Sequence, residues 1–205
     1  NIYSYNKQTG EILGGSISAQ LPKCNFAPFV PFESMPQVDS FILGLTEQCN
    51  LRCTYCCYSG NYVNKRSHNT VSMNTDDVDD ILLFIGSFTS NRPIKIFLYG
   101  GEPLLNYNIV QYAIEKSRKQ WDNDVSFTIS TNGTTLTKER IDWLVANNVV
   151  LALSIDGTKP FHDSYRVDAQ GNGSYTRVYD ALKYIKTTYP EYAKEMSLIM
   201  TLASF

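Results

Sequence analysis

Apolar and polar positions along most of this chain fall into two alternating rhythms. Short, largely apolar runs are each followed by a longer stretch with apolar residues at helical spacing, the signature of repeated strand–helix units. The first run, SFILGL at Ser40–Leu45, predicts a buried strand. After it, Val78, Ile81, Leu82, Ile85 and Phe88 share one helical face. That helix takes its N-cap from Asn74 or Thr75 and carries Asp76 and Asp77 in its first turn, where the helix dipole favours negative charge. IKIFLYGG at Ile94–Gly101 predicts the second strand, with Asn106 capping a helix that carries Val110, Ala113 and Ile114. VSFTIST at Val125–Thr131 is the third strand, and its helix begins after Thr137, turns Ile141, Leu144 and Val145 inward and stops near Asn147. VVLALSID at Val149–Asp156 is the fourth strand; Ser174 then caps a helix bearing Val178, Ala181, Leu182 and Ile185 that ends before Pro190. SLIMTL at Ser197–Leu202 is the fifth.

Strands this continuously apolar imply a parallel sheet covered by helices, an α/β fold whose chemistry gathers at the C-terminal strand ends. Residues 39–205 hold all five units, and residues 1–38 read as an N-terminal arm. A strand so near the last residue is costly as an open edge, so more protein is expected to follow it. Composition excludes several classes. With 205 residues, 43% hydrophobic, and a net charge of −2, the chain is an ordinary globular unit. Its scattered Lys and Arg do not form a phosphate-tracking surface, so no nucleic-acid partner is expected. No run approaches the roughly 20 apolar residues of a membrane span, so no membrane partner is expected either.

Five cysteines, four of them in the nine residues from Cys49 to Cys57, do not form the spread framework of a secreted disulfide protein. A reducing, cytoplasmic setting is expected. Cys49, Cys53 and Cys56 follow directly on the first strand. Three thiolates from one short loop can hold three irons of a [4Fe–4S] cluster and leave the fourth iron open to another ligand. The alternatives are a zinc site completed by His68 or Cys57, or an electron-transfer cluster in a non-catalytic module. Cys57 itself reads as a spare ligand, a redox-active thiol or a small buried side chain, and Cys24 as structural or a substrate contact.

The Cys-x-x-x-Cys-x-x-Cys spacing with Tyr55 before its last thiol resembles the cluster motif of the radical S-adenosylmethionine (SAM) superfamily. That resemblance implies a partial (β/α)6 barrel of the TIM type, of which five βα units are visible here. It also implies that a [4Fe–4S] cluster on Cys49, Cys53 and Cys56 reductively cleaves bound SAM to a 5′-deoxyadenosyl radical that abstracts a substrate hydrogen. In YGGEP, the superfamily's Gly-Gly-Glu-Pro element, Gly100, Gly101 and Glu102 are expected to contact the methionyl amino group; by itself the sequence is equally an ordinary turn. Ser130 and Asn132 of STNG are expected to make polar contacts to SAM, with an Asn-Gly turn as the alternative for Asn132.

SIDG and HDSYR together resemble the branch of peptide and protein maturases with SPASM-type C-terminal domains, such as thioether-forming peptide maturases and anaerobic sulfatase maturases. There an arginine pairs with the SAM carboxylate, which makes Arg166 the expected partner; Ser154 and Asp156 are expected at the rim, with Asp156 also able to reach substrate. His162 reads as a hydrogen-bonding residue that fixes the loop carrying Arg166. The branch further implies a precursor peptide or protein as substrate, an electron donor such as flavodoxin or ferredoxin, and auxiliary Fe–S clusters in a C-terminal part not contained in these residues. Either a crosslink, thioether or carbon–carbon, or formylglycine formation would fit that chemistry.

Overall fold

The structure, a computed structural model, describes residues 4–5, 12–13, 38–59, 67–88 and 93–202. Cys24 and the Phe88 side chain lie outside the described residues. Two units separate along the chain, Asn1–Pro36 and Gln37–Phe205. In the first, the described backbone is a short antiparallel pair, β1 (Ser4–Tyr5) with β2 (Ile12–Leu13).

The second unit is built on five strands: β3 (Ser40–Thr46), β4 (Ile94–Gly100), β5 (Val125–Thr131), β6 (Val149–Ser154) and β7 (Ser197–Ile199). They lie side by side in sequence order and every neighbouring pair is parallel. Parallel neighbours need a long crossover, and helices supply it. The connecting helices are α1 (Thr75–Phe88), α2 (Tyr107–Trp121) and α3 (Lys138–Ala146), and between the last two strands α4 (Lys159–Tyr165), α5 (Tyr175–Thr188) and α6 (Tyr192–Glu195). The sheet stays open, with β3 and β7 as its two ends, so the architecture is an unclosed βα array.

Alternation along the strands decides where the core sits. Ile94, Ile96 and Leu98 of β4 are buried while Lys95, Phe97 and Tyr99 between them are exposed. Val125, Phe127 and Ile129 of β5 join the same core, with Val78, Leu82 and Ile85 of α1, Val110 and Ile114 of α2, Ile141 and Leu144 of α3 and Ile185 of α5. The apolar runs read as strands covered by helices; in the fold α1, α2, α3, α5 and α6 pack on one face, and the other face keeps Ile42, Phe97 and Tyr99 exposed among the described residues.

The helix starts show which capping rules operate. Asn74 Oδ1 accepts from the Asp76 and Asp77 N–H groups at 2.8 and 3.1 Å, and Asp77 Oδ2 accepts from Asn74 N–H at 2.9 Å, a reciprocal capping box. Thr137 Oγ1 caps α3 by accepting from Arg140 N–H. Asn106 and Ser174 sit at the N-cap positions of α2 and α5 but make no side-chain cap bond. Asn106 Nδ2 instead donates to the Leu45 and Met73 carbonyls, tying α2 to the end of β3, and Asp163 Oδ1 accepts from the first N–H of α5. Tertiary bonds took those two side chains, which local spacing could not reveal. The fifth strand is also shorter than its apolar run, three residues rather than six.

Phe127 is among the largest fully buried side chains. Phe127→Ala is expected to lower unfolding free energy by about 3–5 kcal/mol through lost burial and the cavity left behind. Asn74→Ala, which removes only a cap, should lower it by about 1 kcal/mol. Urea titrations followed by circular dichroism measure both; equal effects would mean that the sheet–helix core is not where stability resides.

Candidate functional site

Because all five strands of the sheet point the same way, their C-terminal ends share one rim, and the loops leaving them build the site. The loop after β3 carries the cysteines. It is pinned to the end of α4 and the residues that follow: Arg52 N–H donates to the Val167 carbonyl at 2.6 Å and Thr54 N–H to the Tyr165 carbonyl at 3.1 Å. Within it, Cys56 N–H donates to Cys53 O and Ser59 N–H to Cys56 O, which coils the last cysteine back toward the second. Backbone N–H groups also face the sulfurs: Leu51 N–H to Cys49 Sγ and Tyr58 N–H to Cys56 Sγ, both at 3.4 Å.

These three thiols are partly buried. Burial pushes the Cys53 thiol up to about 11 against the pull of the Arg166 guanidinium, and burial likewise raises Cys49 and Cys56. A metal group displaces such protons on binding, and the N–H donors then stabilise the thiolates. Among the described residues no three His, Cys, Asp or Glu side chains converge as a set for one shared ion. The His68 ring stacks on Tyr58, 5.6 Å between centroids, and Cys57 is exposed. The donor set therefore suits a cluster, whose thiolates sit on separate irons, better than the alternative of a four-ligand zinc site.

The loop after β4 presses against the start of the cysteine loop. Gly101 N–H donates to Thr46 O at 2.8 Å and Glu102 N–H to Gln48 O at 2.7 Å. A Cβ on Gly101 would stand 2.3 Å from Gln48 O, a backbone atom that cannot step aside, so this position requires glycine. The Glu102 carboxylate, 0% exposed, turns inward. It accepts from Thr131 Oγ1 at 2.7 Å, Asn132 N–H at 2.7 Å and Leu104 N–H at 3.1 Å. Burial raises its pKa and these donors pull it back. Arg140 of α3 bonds the Leu104 and Thr135 carbonyls, clasping the same two loops from behind. In the loop after β5, Asn132 Nδ2 donates to Asn50 Oδ1 at 3.0 Å and faces Cys49 Sγ at 3.8 Å.

After β6 comes a second buried carboxylate. Asp156, 0% exposed, takes a two-point ion pair from Arg166, Nε to Oδ2 at 2.7 Å and Nη2 to Oδ1 at 3.2 Å. Tyr55 Oη donates to Oδ2 at 2.5 Å and Thr201 N–H to Oδ1 at 2.9 Å. Burial works to raise this carboxyl's pKa, but the bonds from Arg166, Tyr55 and Thr201 overcome it and leave the pKa below the usual range. The Arg166 guanidinium also lies over the Tyr55 ring, 5.4 Å from its centroid. Behind them His162 is fully buried: its Nδ1 accepts from Asp156 N–H at 3.1 Å, which places the ring proton on Nε2 toward Ser174 Oγ at 2.9 Å. Ser174 Oγ in turn donates to the Arg166 carbonyl at 2.8 Å. His162 thus fixes the backbone that carries Arg166.

One cavity of about 280 Å³ opens among these loops. Cys49, Cys53, Cys56, Tyr55, Gly100, Gly101, Ser130, Asn132, Ser154 and Arg166 all line it. Of the residues expected there, Glu102 and Asp156 do not: both carboxylates are spent on holding the loops together. Tyr58, His68, Tyr99, Ile199 and Thr201 line it as well. Thr201 lies inside the apolar run SLIMTL, so nothing in the sequence set it apart from a strand residue.

Residues 43–202 match the Radical SAM superfamily, and the chain belongs to it. It is 28% identical over 161 residues to a cysteine-type anaerobic sulfatase-maturating enzyme of Clostridium novyi, covering 77% of this chain and 43% of that protein. With a serine-type anaerobic sulfatase-maturating enzyme of Bacteroides thetaiotaomicron it shares 30% identity over 143 residues, 67% of this chain and 34% of that one. With the radical SAM cyclopropyl synthase TigE of Paramaledivibacter caminithermalis it shares 23% over 163 residues, 75% and 34%. The fold matches that of native anSMEcpe with bound AdoMet at a TM-score of 0.65 and 24% identity, covering 78% of this chain and 43% of that one. The chain thus spans less than half the length of these relatives. Enzymes of this superfamily use a [4Fe–4S] cluster and SAM, and the donor set and glycine cradle here fit both.

Burial lowers the His162 pKa below its ordinary 6.5, with Arg166 adding to the shift. Below pH 6.5 the unfolded chain therefore takes up a proton that the folded ring refuses. Stability from this group is full above 6.5 and is lost as pH falls toward the folded value. His162→Gln, which does not titrate, should flatten that part of the profile: the stability difference between parent and variant should shrink between pH 7 and pH 5 in urea titrations. A difference independent of pH would show that His162 is not held neutral.

Proposed function

We propose that this chain is the cofactor-bearing part of a radical SAM enzyme that takes hydrogen from a residue of a peptide and thereby matures a ribosomally made precursor, forming a thioether or carbon–carbon crosslink. One observation carries the reading: three thiols of a single loop, the Gly100–Gly101 backbone and the Arg166 guanidinium bound the same cavity. Cys49, Cys53 and Cys56 would hold the cluster, leaving one iron for SAM. When bound, the pair supplies a hydrogen-abstracting radical by one-electron cleavage of SAM.

The chain's own residues do the positioning. The Leu51 and Tyr58 N–H groups stabilise the thiolates of Cys49 and Cys56. Gly100 and Gly101, without side chains, let the strand end approach a ligand's ammonium group. Arg166 gives two N–H groups to Asp156 and keeps its remaining donors at the cavity for a ligand carboxylate. Leu51, Tyr99 and Ile199 provide apolar walls that reduce water access to the reacting atoms.

A second reading, oxidation of a Cys or Ser to formylglycine in a sulfatase, is favoured by the 28% and 30% identities to sulfatase-maturating enzymes. Both readings take a peptide or protein substrate, an electron donor of the flavodoxin or ferredoxin type, a reducing cytoplasmic setting, and auxiliary clusters in a further part of the protein.

Anaerobic reconstitution with iron and sulfide, followed by SAM and dithionite, should yield 5′-deoxyadenosine, and Cys53→Ala should reduce it to background. Deoxyadenosine release from the parent is the expected result. A parent, including its full-length form, that carries a cluster yet releases none would leave a cluster-binding module instead.

A further inference from the structure

Asp156 was expected at the rim, yet its carboxylate reaches neither the cavity nor solvent. It joins three segments: Tyr55 of the cysteine loop, Arg166 at the end of α4, and the Thr201 N–H beyond β7. Both of its oxygens are used. Oδ2 takes Arg166 Nε and Tyr55 Oη, and Oδ1 takes Arg166 Nη2 and Thr201 N–H. Its own backbone N–H is held by His162, whose other ring nitrogen reaches Ser174, which returns to the Arg166 carbonyl. The guanidinium is thereby fixed at both ends, by its side-chain fork and by its backbone.

We propose that Asp156 is a positioning residue that sets the orientation of the Arg166 guanidinium and the Tyr55 ring toward the cavity, and so the affinity of the site for an α-amino-acid carboxylate such as that of SAM. The proposal rests on the function proposed above. A buried Arg on an otherwise free stem samples several rotamers, and a ligand would have to order it on binding. The two-point pair removes that freedom beforehand, because planar guanidinium and planar carboxylate lock in one plane. The Tyr55 hydroxyl extends the same lock into the cysteine loop, two residues from Cys53 and one from Cys56, so the cluster ligands and the carboxylate partner share one anchor.

Asp156→Asn keeps the volume and one acceptor but loses the charge and the two-point geometry. In the cluster-free protein, hydrogen exchange read by mass spectrometry should accelerate in peptides covering residues 53–57 and 199–202, with peptides from β4 and β5 unchanged. In the reconstituted full-length enzyme the KM for SAM should rise at least tenfold, with kcat for deoxyadenosine reduced by a smaller factor. Asp156→Glu, which restores the charge with a longer stem, should recover part of that affinity. Should the Asn variant fail to fold, Tyr55→Phe removes only the hydroxyl arm and should still accelerate exchange at 53–57. Unchanged exchange and unchanged KM in a folded variant would overturn the proposal, as would a uniform loss of protection with kcat and KM altered alike. If the parent itself neither binds SAM nor releases deoxyadenosine, the function proposed above fails and this inference falls with it.

Discussion

Five parallel strands impose one constraint on everything else in the sheet unit: every loop that leaves a strand C-terminus arrives at the same rim. Four such loops carry polar or thiol groups, and backbone bonds join only some of them: Gly101 and Glu102 N–H to the start of the cysteine loop, and Arg52 and Thr54 N–H to Val167 and Tyr165. Two buried carboxylates add further ties. Glu102 binds the loop after β4 to that after β5, and Asp156 binds the loop after β6 to the cysteine loop and to the segment beyond β7. The two anchors tie together segments that line the cavity.

Burying a carboxylate is unfavourable unless every oxygen finds a donor, and a buried ion pair is stabilising only when its geometry is nearly ideal. Both anchors meet the condition in different ways. Glu102 is surrounded by neutral donors, two backbone N–H groups and a hydroxyl, and its pKa stays above the usual range. Asp156 has a guanidinium, and its pKa falls below the usual range. The contrast follows from the donors: three neutral hydrogen bonds offset part of the burial penalty at Glu102, whereas Arg166, Tyr55 and the Thr201 N–H together reverse it at Asp156. The function of the site inherits this difference, since only the second anchor leaves a cation facing the cavity.

Much of this was legible in the chain itself. The strand–helix alternation located all five strands of the sheet, β5 to the residue, because apolar periodicity reports which face is buried. The cysteine spacing and the serines at the C-terminal ends of the strands, Ser130 and Ser154, pointed to residues that line the cavity. What stayed hidden depends on contacts across long separations. Glu102 reads from the sequence as a contact to a ligand amino group and Asp156 as a rim carboxylate, and only the fold reveals donors 29, 45 and 101 residues away. Asn106 and Ser174 have the composition of helix caps, but carbonyls brought close by packing took their side chains. The short helix α4 carries no apolar period long enough to announce it.

The proposed chemistry depends on the three thiols and the Arg166 side of the cavity forming a single site for a cluster and SAM together. Electron paramagnetic resonance of the anaerobically reconstituted, dithionite-reduced protein, recorded with and without SAM, tests it most directly. The expected result is a reduced [4Fe–4S] signal whose g-values change when SAM is added, because the ligand meets an iron that no cysteine holds. A spectrum identical with and without SAM would contradict it.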